Sequence, residues 1–115
     1  MLVIEQQQID VMSAYMLKQF ENRMMIHLLA AFPQQTQGMP ESALRAMVQG
    51  GMQRAAQYKV EFEDDIKRYL ELMVVHGGSF DTDPRTTWAG RILRSDLHGS
   101  LKMDRIEEYA QYLEK

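Results

Sequence analysis

The chain has 115 residues, 45% of them apolar and 25% charged, which suits one globular domain rather than a disordered chain. With no cysteine, it can build neither a disulfide framework nor a thiolate metal site. The formal net charge is -3, and Lys and Arg are scattered from Lys18 to Arg105 without a basic block, which argues against nucleic acid as a partner.

The start, Met1-Leu2-Val3-Ile4-Glu5, carries no basic n-region and no long apolar h-region, so no signal peptide is read. No apolar run approaches the ~18 residues of a membrane span. The expectation is a soluble, cytoplasmic protein.

From Ile9 to Phe32, apolar positions recur at Ile9, Met12, Met16, Phe20, Met24, His27, Leu28 and Ala31. Steps of three and four put one stripe on a helix of roughly 35 Å, with Pro33 as its stop. Met25, Ile26 and Leu29 widen the stripe beyond what one small domain needs. Gln34 to Met39 reads as a polar connector, and Pro40 opens a second helix through Leu44, Val48, Met52 and Ala55. Gly50-Gly51 lies inside that helix at a cost of about 1 kcal/mol each, which points to a close helix crossing.

Glu61, Glu63, Asp64 and Asp65 precede a third helix, where acidic side chains complement the positive end of the helix dipole. Ile66, Tyr69, Leu70, Met73 and Val74 give it the cleanest amphipathic pattern in the chain. His76 suits its negative end, and Gly77 supplies a left-handed cap.

Gly77 to Ala89 forms a corner that holds the only Trp. Phe80 and Trp88 are expected to pack inward, and Asp83-Pro84 reads as an N-cap followed by Pro at the first helical position. Trp88, Ile92 and Leu93 give the next short helix its buried face. After a turn from Ser95 to Gly99, Ser100 caps a last helix carrying Leu101, Ile106, Tyr109, Ala110 and Leu113. Leu2-Val3-Ile4 is the one candidate strand. The expected fold is all-α: a single domain over 1–115, compact, with about five helices and one long N-terminal helix.

Chemical motifs are few. Asp81-Thr82-Asp83 begins like a calcium loop, but the sixth position is Thr86 rather than Gly and the twelfth is Ile92 rather than Glu. Its carboxylates are better used as cap and loop acceptors. The three histidines, His27, His76 and His98, share no metal-ligand spacing, and no G-x-S-x-G is present. No catalytic, cofactor or metal residue is therefore assigned. The structural corner is Gly77, Phe80, Asp81, Asp83, Pro84 and Trp88.

The ten methionines favour adaptable packing, either in a core or against a partner. Met12, Met16, Phe20 and Met24, with the acidic rim of Glu63 and Asp64, are the candidate partner-binding residues. The long amphipathic helix also suits a homodimer.

Tyr69-Leu70-Glu71-Leu72-Met73, Phe80-Asp81-Thr82-Asp83-Pro84, Trp88-Ala89-x-x-Ile92-Leu93 and Lys102-Met103-Asp104-Arg105-Ile106 together form a recognisable pattern. With Arg54-Ala55-Ala56-x-Tyr58 and a first helix ending in Phe-Pro, it resembles a family of small all-helical bacterial proteins and covers nearly the whole chain. Such proteins are often encoded beside type VI secretion spike and effector genes, without an assigned activity. Here Lys59 stands where a Gly is common, Phe62 where a Ser-type cap is common, and Thr87 where a Pro is frequent. The resemblance implies a protein-binding accessory, an adaptor or chaperone for an effector or spike component. The alternative is an immunity protein that neutralises a co-encoded toxin. A small metal- or ligand-binding enzyme around His76, Asp81 and Asp83 comes third.

Overall fold

The first long helix begins where a hydroxyl can cap it. In the computed structural model, which describes residues 8–114, Ser13 is extended and its Oγ accepts the Met16 N–H at 3.2 Å. Helix α1 therefore spans Ala14–Ala31, roughly 27 Å rather than the longer rod expected from Ile9 to Phe32. The missing turn is drawn elsewhere. Ile9–Val11 is a 3-10 turn, the Ile9 N–H donates to the Glu61 carbonyl at 2.8 Å, and Gln8 forms an isolated antiparallel bridge with Phe62. The candidate strand Leu2-Val3-Ile4 lies outside the described residues.

Pro33 ends α1 and also opens a short helix, α2 (Pro33–Thr36), so the connector expected after it is partly helical. The Thr36 hydroxyl donates to the Phe32 carbonyl at 2.7 Å and holds that turn. Pro40 is the N-cap of α3 (Glu41–Gln57), one residue before the position expected for it. Helix α4 (Glu63–His76) has Glu63, Asp64 and Asp65 in its first turn and His76 in its last.

Helices α3 and α4 cross at Gly51. A Cβ there would lie 2.5 Å from Leu70 Cδ2 and 2.6 Å from Met73 Sδ, so any side chain would displace both of these packed ends. Gly50 faces open space and plays no part in the crossing. After α3 the chain turns through Lys59 at φ +65°, a left-handed conformation that favours glycine. The buried Lys102 ammonium donates to the Tyr58 carbonyl at 2.8 Å and caps the negative end of α3. Burial pulls the Lys102 pKa down from the ordinary lysine value.

Gly77 stops α4 at φ +106° and ψ 152°, an extended positive-φ conformation rather than the left-handed helical one expected. Asp83 caps a 3-10 turn, Pro84–Thr86, which runs into α5 (Thr87–Leu93). The buried face of α5 is Ala89, Gly90 and Leu93, with Trp88 and Ile92 half-buried at its edge. Helix α6 (Gly99–Leu113) begins at Gly99, so Ser100 does not cap it. Its hydroxyl donates instead to the buried Asp65 carboxylate. Ile106 faces inward as expected, together with Lys102 and Met103, whereas Leu101, Tyr109 and Leu113 face out, which corrects the rest of the face expected for this helix.

Six α-helices thus stand among the described residues, against about five expected, the addition being α2. They enclose one core, built from Phe20 and Leu28 of α1, Leu44 and Val48 of α3, Ile66, Tyr69 and Leu70 of α4, Phe80, Leu93, Met103 and Ile106. The fold is an all-α single unit. Arg68 fastens α4 to α6 through Asp104 at 2.7 Å and Glu107 at 2.6 Å, with Asp65 of its own helix at 3.1 Å. Burial works against its cation, but these three acceptors outweigh it and raise the Arg68 pKa.

Candidate functional site

Two places could carry function: the corner and the outer side of α1. The corner is an internally satisfied polar joint. Asp81 is 4% exposed, and its carboxylate accepts from Arg54 Nη1 at 3.0 Å and from the Tyr58 hydroxyl at 2.6 Å. Arg54 Nη1 also donates to the Gly78 carbonyl at 3.1 Å, and Arg94 Nη2 donates to the Asp81 carbonyl at 3.0 Å. The Thr86 hydroxyl closes the loop onto the Phe80 carbonyl at 2.6 Å. These bonds tie α3, the corner and α5 into one unit.

Phe80 inserts beneath this joint with its ring 5.0 Å from that of Tyr69. Burial first, and the neighbouring Asp81 carboxylate second, raise the Tyr69 pKa above the ordinary tyrosine value. The Tyr58 hydroxyl is raised by the same two causes. The fully buried Tyr69 hydroxyl has no hydrogen-bond partner among the described residues. Trp88 is not a core residue. It lies half-buried, stacked on Tyr109 at 5.1 Å and edge-on to His76 at 5.9 Å.

Asp83 points away from Asp81. It accepts the Arg85 N–H at 2.8 Å and pairs with the Arg85 guanidinium at 2.8 Å. The Arg85 side chain, then its N–H, hold the Asp83 carboxyl at a pKa of about 2. The two aspartates thus serve different acceptor roles. Among the described residues, no three of His, Asp and Glu converge on a cation position.

The partner-binding residues expected on α1 are placed differently by the fold. Met12, Phe20 and Met24 belong to the core, and Met16 is half-buried against it. Their apolar surface is already covered, because the stripe is what docks α1 onto α3 and α4. Glu63 pairs with Arg23 at 2.8 Å, and Asp64 is exposed in the first turn of α4. His27 meets Glu71 at 2.7 Å across α1 and α4.

The residues that widened the stripe do reach the surface. Ile26 is 67% exposed and Leu29 47% exposed. They border a groove of about 490 Å³ between α1 and α3, floored by Met25, Met39 and Leu44. Arg45 stands at its edge, held by Glu21 at 3.1 Å, Asn22 at 3.0 Å and Glu41 at 3.3 Å. The signal for Ile26 and Leu29 was present in the excess width of the pattern. The Arg54, Tyr58 and Arg94 contacts to Asp81 had no counterpart in spacing.

No family model, curated protein or solved structure matches this chain. No described helix is long and apolar enough to cross a membrane.

Proposed function

We propose that the protein is a non-catalytic binding module, an adaptor or chaperone-like accessory of a type VI secretion effector or spike protein, acting in the cytoplasm. The observation that carries the binding role is the exposure of Ile26 and Leu29 beside the α1–α3 groove. Two large aliphatic side chains on one helix face, above a floor of adaptable methionines, suit an apolar segment of a partner protein. The resemblance of the sequence supplies the secretion setting. The inward commitment of Asp81 supports a structural part for the corner rather than a catalytic one.

The test is capture of the tagged protein from its native host, compared with Ile26→Glu and Leu29→Glu. The expected result is stoichiometric recovery of one effector or spike protein encoded nearby, lost in both variants. Recovery unaffected by the variants overturns the surface, and failure to bind any co-encoded protein overturns the role. An adaptor should also be needed for delivery of the effector. Survival of toxin-expressing cells that depends on this protein identifies an immunity protein instead.

A further inference from the structure

The outer side of α6 carries a pattern that is complementary to its own reverse: apolar ends enclosing one cation and one anion. Leu101, Arg105, Glu108 and Tyr112 are all exposed, Leu101 at 37% and Tyr112 at 71%. They follow one another at steps of four, three and four residues. At about 100° per residue, such steps keep all four side chains within an arc of roughly 60°. The opposite side, Lys102, Met103 and Ile106, is the one buried in the fold. The stripe therefore has apolar ends and two opposite charges in its middle.

We propose that two copies of the chain associate antiparallel through this face of α6. A two-fold axis at the midpoint of the stripe sets Leu101 against Tyr112 of the second copy and Arg105 against Glu108. Both contacts occur twice, which is the self-complementarity that a closed two-fold interface requires. A parallel arrangement would set Arg105 on Arg105 and Glu108 on Glu108, and like charges facing each other exclude it. Charge order thus selects both the occupant and its direction.

In the single chain, Arg105 and Glu108 pair with one another at 3.3 Å, largely in solvent. An exposed pair of this kind contributes little, so exchanging it for two pairs across an interface forfeits little. A groove of about 460 Å³ between α5 and α6 includes Arg105, Glu108 and Tyr112 of the stripe in its wall, and its α5 side adds Ile92, Leu97 and the cationic Arg91. This face packs nowhere on the α1–α3 groove, so a dimer leaves that surface available.

Sedimentation equilibrium of the purified chain should show a species of twice 13.4 kDa. Arg105→Glu and Glu108→Arg should each weaken the dimer by about tenfold or more, because each creates two like-charge contacts. Combining them should restore association, since the swapped charges face each other again. As the chain has no cysteine, Leu101→Cys with Tyr112→Cys should also form a covalent dimer under a mild oxidant. Neither single cysteine variant should do so, because identical positions lie roughly 16 Å apart in this register. A monomer at every soluble concentration overturns the proposal. So does a dimer that ignores the charge reversals, or one cross-linked by either single cysteine.

Discussion

The corner from Gly77 to Ala89 and the outer side of α1 use their side chains in opposite ways. The corner holds the chemically suggestive residues, two aspartates and the single Trp, yet commits Asp81 and Thr86 to internal bonds and Asp83 to its neighbour Arg85. The C-terminal half of α1 holds ordinary aliphatics and leaves Ile26 and Leu29 in solvent. A carboxylate surrounded by donors is stabilised by the fold and has little left for a ligand, whereas uncovered apolar area gains from any partner that covers it. The chemically distinctive Asp81 is engaged within the fold, and the plain aliphatics Ile26 and Leu29 are the side chains left uncovered.

Substitutions can break this contrast, beginning with the largest expected effect. Phe80→Ala should cost about 3–5 kcal/mol, because it empties a fully buried site against Tyr69. Trp88→Ala should cost about 1–2 kcal/mol, since its ring is only half-buried. Urea midpoints for the pair measure the difference, and equal losses would return Trp88 to the core.

Asp81→Ala should cost about 3 kcal/mol, at the low end for a broken buried pair because Arg54 is partly exposed. Asp81→Asn should recover part of that loss by still accepting one hydrogen bond. A full-stability Asp81→Ala variant would show that the corner has polar capacity to spare.

The α3–α4 crossing offers a sharper pair. Gly51→Ala should destabilise by about 1–3 kcal/mol as its methyl meets Leu70 and Met73. Gly50→Ala, one residue away in open space, should stabilise by about 0.5–1 kcal/mol. Thermal melts read both signs in one experiment.

Tyr69→Phe should stabilise the protein by about 1 kcal/mol, since it removes a buried hydroxyl without a partner. It should also change the alkaline limb. Tyr58 and Tyr69 have folded pKa values raised above the unfolded ~10, so the fold retains protons that the unfolded chain releases. Their contribution is complete below pH ~10 and is lost as pH rises through the folded values. Urea melts from pH 9 upward should therefore fall less steeply for Tyr69→Phe. Ile26→Glu closes the scale, with a stability change within about 0.5 kcal/mol despite its expected effect on partner capture.

Much of this molecule could be read locally. Helical periodicity, the acidic first turn of α4, the Gly77 stop and the Asp83-Pro84 cap all arise from backbone preferences and near neighbours, which sequence carries directly. The start of α1 and the facing of α6 were not legible. The first combines the local Ser13 cap with a bridge from Gln8 to the distant Phe62, and in the second Lys102 turns inward to reach the Tyr58 carbonyl. The surface was half legible. Periodicity located the apolar width of α1, but which of those residues become core depends on where α3 and α4 press against it. Met12, Phe20 and Met24 went inside and Ile26 and Leu29 stayed out, because one helix face can be covered only as far as its neighbours reach.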